Sequence, residues 1–313
     1  MPVRAWKGPP VPIGPLPNPA SPQAQATWNL FVFVLALGGA VFLLIAGLIV
    51  VAVVRFRDRP GRAEPRQGPA SPRAEIAWVV GAGILLLAIF VATVITMRIV
   101  DPPAGRRIPD LVVTGHQWWW EVSYPGQGIV TANEIHIPTD RAVLVHLISA
   151  DVIHDFWIPQ LARKMDLTPG YPTDIWLQAD RPGVYLGACA EFCGAQHAWM
   201  RIRVIAEPAA AFAAWVQQQR QPPPPPPGPE AAVGVQLYQE DTCGRCHGTG
   251  IGPDLSHVAS RQTLAAGLLE NTPADLARWL ADPQSVKSGS LMPNFHLSAA
   301  DVRALVAYLE TLR

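Results

Sequence analysis

The run Cys189-Ala-Glu-Phe-Cys193-Gly-Ala-Gln-His197-Ala-Trp-Met200 places two thiols, an imidazole and a thioether in one short loop. These are soft or borderline ligands that suit copper, zinc or iron-sulfur centres rather than magnesium or calcium. A mononuclear blue-copper site needs a single cysteine, whereas two cysteines at this spacing can bridge two copper ions through their sulfurs. Each copper then requires one imidazole and a weak axial group. His197 and Met200 supply one of each, and an upstream histidine must complete the set. His154, in Asp151-Val-Ile-His-Asp-Phe-Trp-Ile-Pro159, sits at the end of a strand-like run and is the best candidate. Two cysteines in an exported domain are also commonly a disulfide, and Cys2His2 is a common zinc set.

On either side of this loop, from about Asp110 to Ala206, apolar residues alternate with polar ones. The clearest runs are 142–148, 174–178, 183–186 and 200–204; in the last, Met200, Ile202 and Val204 share one face while Arg201 and Arg203 take the other. Such alternation between Pro, Gly and Asp turns predicts an antiparallel β-sandwich. The other two cysteines fall in Cys243-Gly-Arg-Cys246-His247, a C-x-x-C-H motif for c-type haem attachment: two thiols for thioethers and a histidine as proximal iron ligand. Met292 is the only methionine of the C-terminal segment and the candidate distal ligand, with His257 and His296 as competitors. From about residue 230 the pattern is helical. Ser298 and Asp301 resemble a capping box, and Val302, Leu305, Val306 and Leu309 form an apolar stripe. Two redox motifs without a catalytic nucleophile point to a protein that moves electrons.

Residues 30–54 and 76–97 contain no charge, and each is long enough to cross a bilayer core of about 30 Å. The loop between them carries Arg55, Arg57, Arg59, Arg62, Arg66 and Arg73, against only Arg4 and Lys7 in the N-terminal tail. The positive-inside rule puts that loop in the cytoplasm and everything from about residue 98 onward on the outer side, where covalent haem attachment is completed in bacteria. The first apolar run is too long for a secretory signal and reads as an uncleaved anchor. The domain organisation expected is a Pro-rich tail over 1–29, a transmembrane hairpin over 30–98, a sandwich over 99–207, a linker over 208–229 and a haem domain over 230–313. The linker combines a helix-like stretch with six consecutive prolines, Pro222 to Pro227. A polyproline helix of that length is a stiff spacer of about 19 Å. The formal net charge of zero, without a basic tract, argues against nucleic acid as a partner.

The Cys-x-Glu-x-Cys-Gly-x-x-His-x-x-Met run resembles the dinuclear copper A loop of cytochrome c oxidase subunit II, and Gly115-His-Gln-Trp-Trp-Trp120 with His154 matches that family's other landmarks. The fused haem segment is similar to caa-type haem-copper oxidases, whose subunit II carries its own cytochrome c. The resemblance implies a multidomain membrane protein: a two-helix transmembrane hairpin, a cupredoxin-like antiparallel sandwich and an all-α class I cytochrome c domain. It implies that His154, Cys189, Glu191, Cys193, His197 and Met200 hold copper A, Glu191 through its backbone carbonyl, while the Glu191 side chain faces a magnesium or manganese ion at the subunit I interface. Trp118 matches the tryptophan through which the family takes in electrons, although three tryptophans also suit an aromatic belt. Trp119 stands where tyrosine is usual. Glu75 matches the glutamate at the entrance of a proton channel, and a carboxylate there also complements the helix dipole.

The function so implied is that of subunit II of a respiratory cytochrome c oxidase in the bacterial inner membrane. Electrons would pass from its haem c to copper A and on to subunit I, where oxygen is reduced. Subunit III and an upstream cytochrome c or bc-type complex are the further expected partners. Quinol-oxidising relatives lack the copper cysteines. Two alternatives stay open: the electron-accepting subunit of a copper A-containing nitric oxide reductase, and a stand-alone membrane-tethered shuttle. A shuttle needs one anchor helix, not a hairpin.

Overall fold

The computed structural model describes residues 18–57, 60–61, 68, 71–101, 108–240 and 243–313, with the Glu240 side chain excepted. The tail up to residue 17, with Arg4 and Lys7, lies outside the described residues, as do Arg59, Arg62 and Arg66 of the basic loop. The chain divides into two compact units, one of them Gln25–Asp101. That unit contains most of α1 (Pro22–Phe56) and all of α2 (Pro72–Val100). Both helices are long and apolar enough to cross a membrane, and their large apolar side chains stand exposed. Within α2, Thr93 and Thr96 donate their hydroxyls to the carbonyls of Ile89 and Ala92, so neither is left unpaired in an apolar setting. Ser71 occupies the N-cap of α2 and Glu75 lies exposed in its first turn.

The first helix begins at Pro22 rather than at residue 30, so the expected 1–29 tail ends earlier, and residues 20–24 are packed in the other unit. Ala20 and Ser21 are buried, the Ala20 N–H and Ser21 hydroxyl donate to the carbonyls of Gln160 and Leu161, and the Gln23 amide donates to the Trp176 carbonyl.

Ten strands then build two five-stranded sheets: β1 (Leu111–His116), β2 (Trp119–Tyr124), β3 (Ile129–Ala132), β4 (Glu134–Pro138), β5 (Val143–Ser149), β6 (His154–Trp157), β7 (Met165–Leu167), β8 (Thr173–Leu177), β9 (Gly183–Cys189) and β10 (Arg201–Glu207). Their orders are β3-β2-β1-β5-β8 and β4-β10-β9-β6-β7. The expected alternation holds: Ile202 and Val204 point into the core while Arg201 and Arg203 do not. The sandwich is cupredoxin-like, but not wholly antiparallel, since β1 runs parallel to β5 and β4 to β10. Trp120, Phe156, Ile135, Leu147 and Ile175 fill the space between the sheets.

Helix α3 (Ala209–Gln219) is part of this core rather than free linker. Its Trp215 stacks on His136 at a ring separation of 4.2 Å, and Val216 is buried. The prolines that follow are exposed and carry no regular structure.

The C-terminal domain is helical, with α4 (Pro229–Glu240), α5 (Cys243–His247), α6 (Pro273–Ala281), α7 (Pro283–Val286) and α8 (Ala299–Leu309). The Ser298–Asp301 capping box is formed, and Val302, Leu305 and Leu309 are buried. Between α5 and α6 lies a short hairpin, β11 (Thr263–Leu264) and β12 (Leu269–Glu270). Periodicity gives no sign of strands this short.

Candidate functional site

Strand β9 ends on Cys189 and β10 starts just after Met200, so the loop between them is pinned at its base by the Cys189 N–H donating to the Met200 carbonyl at 3.0 Å. Within that loop Cys189 Sγ and Cys193 Sγ stand 3.7 Å apart. The separation is far beyond a disulfide bond of about 2.05 Å. Two sulfurs bound at about 2.3 Å to a shared metal in tetrahedral geometry would be about 3.8 Å apart. His197 Nδ1 lies 3.7 Å and Met200 Sδ 3.8 Å from Cys193 Sγ, while His154 Nδ1 lies 3.9 Å and the Glu191 carbonyl 3.2 Å from Cys189 Sγ. The ligand atoms of His154, Cys189 and Cys193 all fall within 4.8 Å of one another, and all three residues are buried. The structure therefore gathers every atom of the six-residue set anticipated from sequence, and the soft donor set fits copper.

The Cys189 thiol is pushed down by its side-chain contact with Cys193, and Cys193 is pushed up by the same contact. Burial alone would lower the His154 ring, but hydrogen bonds with Cys189 and Asp151 outweigh it and the net shift is upward. Asp151 is a residue that sequence reasoning left without a role. Its Oδ1 is 2.8 Å from His154 Nε2, which leaves Nδ1 turned toward Cys189, the arrangement that orients a metal-bound imidazole. Asp151 also accepts from the backbone N–H groups of Val152 and Gln117, each at 2.6 Å.

Trp118 touches the loop directly. Its indole N–H donates to the Cys193 carbonyl at 3.0 Å, beside the Gln117 side-chain amide at 2.7 Å. Gly194 makes this approach possible: its φ is 121°, and a Cβ there would lie 3.0 Å from the Trp118 ring.

A largely apolar cavity of about 220 Å³ is lined by Cys243, Cys246, His247 and Met292 of the C-terminal domain, the four haem residues anticipated from sequence. His247 Nδ1 stands 2.8 Å from the Pro253 carbonyl, so its proton is held there and Nε2 is left as the ligand atom. Burial lowers the His247 pKa, which keeps the ring neutral and fit for iron. All four cysteines are free thiols. Among the competitors for the distal position, neither His257 nor His296 lines the cavity.

Both domains match known families. Residues 126–207 match the family model described as "Cytochrome C oxidase subunit II, periplasmic domain", and residues 231–313 match that for cytochrome c. Cytochrome c oxidase subunit 2 of Alkalihalophilus pseudofirmus is 34% identical over 308 residues, which span 95% of this chain and 90% of that one. This chain belongs to the cytochrome c oxidase subunit 2 family. The homologous subunit of Bacillus sp. strain PS3 is 34% identical, covering 82% of this chain and 80% of its own. A quinol oxidase subunit 2 from Bacillus cereus is 30% identical, covering 64% of this chain and 71% of its own. Membership implies copper A in the sandwich, haem c in the cytochrome domain and subunit I as partner.

In this subunit 2 the haem cavity is not bounded by the cytochrome domain alone. Gln117, Trp118, Trp119 and Gln196 of the sandwich also line it. Lys287, which sequence reading passed over, is buried where the two domains meet and donates Nζ to the Trp118 carbonyl at 2.9 Å. Burial pushes its ammonium down to about 7 from an ordinary 10.5, with the nearby Cys193 sulfur working the other way. An undocked Lys287 in water would recover its ordinary value. The Lys287 contribution to docking is therefore unpenalised above about pH 10.5, weakens as pH falls toward about 7, and stays constant below that. Quench-flow hydrogen exchange of the interdomain amides, normalised to intrinsic rates, should show protection falling from pH 10 to 7 in the native chain and flat in Lys287→Met. A flat native profile would contradict this.

Proposed function

We propose that this subunit is the electron-accepting arm of a respiratory oxidase of the caa type, and that Trp118 is its internal bridge. One observation carries the reading: Trp118 lines the haem cavity and donates its indole N–H to the carbonyl of Cys193 in the copper loop. When bound, haem c and dinuclear copper A supply reversible one-electron chemistry, linking an external donor to the oxygen-reducing subunit I. Cys243 and Cys246 would anchor the haem by thioethers, with His247 and Met292 as its axial ligands. Cys189 and Cys193 would bridge the copper pair, with His154 and His197 as imidazole ligands and Met200 and the Glu191 carbonyl as weak axial ones. The Glu191 side chain is exposed, which suits a magnesium or manganese ion shared with subunit I. Glu75, exposed in the first turn of α2, would stand at the cytoplasmic entrance of a proton channel. The chain would cross a bacterial inner membrane twice, meet subunit III beside subunit I, and accept electrons from a soluble cytochrome c or a bc-type complex.

Because donor and acceptor sites share one chain, the internal step is unimolecular, with an effective concentration in about the millimolar range for a short tether. After rapid reduction of the cytochrome domain in the intact oxidase, the rate of electron loss from that domain is expected to be independent of protein concentration and only weakly dependent on ionic strength. Reduction by an external cytochrome should fall steeply with salt. An internal rate that scales with protein concentration, or slows with salt as strongly as the external one, would overturn the reading.

A further inference from the structure

Glu134 lies on β4 with 1% of its surface exposed, and the hydrogen bonds to its carboxylate come from the cytochrome domain. The Gln262 N–H donates to Oε1 and Oε2 at 3.0 and 2.9 Å; the Thr263 N–H and hydroxyl donate to Oε1 at 2.9 Å each. Arg203, opposite on β10, is 4.0 Å from the same carboxylate and donates to the Gln262 side-chain carbonyl at 3.0 Å. A buried carboxylate is costly unless its oxygens are paired, so a partner that supplies those donors is held firmly.

The groups that receive this carboxylate lead into the β11–β12 hairpin. Its turn, Ala265-Ala266-Gly267, has φ values of 53°, 59° and 84°. Two alanines in the left-handed region are unusual for residues with a Cβ, and the turn is pressed against the sandwich: Ala266 is buried with Trp119 and Ala132, and its carbonyl accepts from Arg201 N–H at 3.3 Å. Elsewhere on the interface, Lys287 donates to the Trp118 carbonyl, and the Gln196 amide donates to the carbonyls of Lys287 and Ser288 at 3.0 and 2.9 Å.

We propose that Glu134 is a positioning residue: its carboxylate, clamped on the backbone N–H groups of Gln262 and Thr263, fixes the cytochrome domain in one register on the sandwich, with the haem cavity closed against Trp118 and Trp119. This deepens the bridge reading above and rests on it for the clamp's purpose, though not for the clamp's existence. While the clamp holds, the Trp118 and Trp119 face is covered, and a soluble donor meets the cytochrome domain first.

The chain has only three lysines, Lys7, Lys164 and Lys287, which makes acylation a clean reporter. Lys164 is exposed and Lys287 is 4% exposed at the interface. Brief acetylation of the intact holoprotein, read by mass spectrometry, should leave Lys287 protected relative to Lys164. Glu134→Gln is expected to raise the Lys287 to Lys164 labelling ratio about tenfold, because the amide nitrogen cannot accept and the charge assistance is lost. Thr263→Val, which removes one hydroxyl outside the sandwich, should raise it by a smaller factor. An unchanged ratio in Glu134→Gln would overturn the clamp. So would loss of sandwich structure in Glu134→Gln together with an unchanged ratio in Thr263→Val, since the carboxylate would then serve its own sheet only. Labelling reads docking and not electron flow, so a failed internal electron step would leave this result standing.

Discussion

Replacing Cys193 with serine is expected to remove the copper centre and to cut electron delivery by more than about 100-fold. Loss of a group that merely orients a metal ligand costs about 10- to 100-fold, and Cys193 is at the heart of the donor set. Its sulfur is 3.7 Å from Cys189 Sγ, 3.7 Å from His197 Nδ1 and 3.8 Å from Met200 Sδ. A serine hydroxyl is a hard, protonated donor that cannot replace a bridging thiolate. The fold should survive, because the residue's main structural duty falls to its backbone carbonyl, which would still accept from Gln117 and Trp118. Paramagnetic resonance of the oxidised native protein should show one electron shared over two copper nuclei; in Cys193→Ser that signal should vanish or collapse to a four-line mononuclear pattern. The cytochrome domain should still reduce with an external donor. A four-line pattern in the native protein, or full copper occupancy in the variant, would sink the bridging-thiolate assignment.

Gly234→Val is expected to destabilise the cytochrome domain by about 3 kcal/mol or more, and to release it from its docked position. Gly234 lies where α4 crosses α8, and a Cβ built there would clash with the Ala304 carbonyl oxygen and stand 2.7 Å from both the Ala304 carbonyl carbon and Tyr308 Cβ. Backbone cannot swing aside as a side-chain tip can, so the two helices would have to separate. The buried stripe of Val302, Leu305 and Leu309 would then lose its packing. Thermal unfolding of the full chain, followed through haem absorbance for one domain and copper absorbance for the other, should show a lowered transition for the haem signal only. Equal shifts in both signals, or none, would contradict this.

Much of the metal chemistry was legible in the sequence because it is local. Thioether, imidazole and thiolate donors separated by three or four residues in one loop can be recognised without knowing the fold, and so can a C-x-x-C-H turn. The uncharged runs of α1 and α2, the alternation of β10 and the capping box of α8 are likewise short-range signals, each set by a backbone period. His154 could be nominated only as a strand-end histidine, because its partners lie on β9, beyond β7 and β8. Asp151 stood three residues away in plain view, but its role depends on which ring nitrogen faces the sulfur, and that is set by the pairing of β6 with β9.

Other features had no sequence signature at all. Helix α3 is helix-like in the sequence, but nothing there marks it as core; the Trp215 ring makes it so by finding His136 on a distant strand. The parallel pairing of β1 with β5 and of β4 with β10 comes from topology, not periodicity. The stiff proline run announced a second domain without saying where that domain would rest. Its resting place is decided by Glu134 meeting Gln262 across 128 residues of sequence and Lys287 meeting Trp118 across 169. The sequence by itself determined which donor groups and which kinds of structural element this protein carries, since ligand chemistry and backbone periodicity act over a few residues. Only the tertiary structure decided that the haem cavity faces Trp118, since contacts between distant residues follow from how whole surfaces fit and leave no periodic trace in the chain.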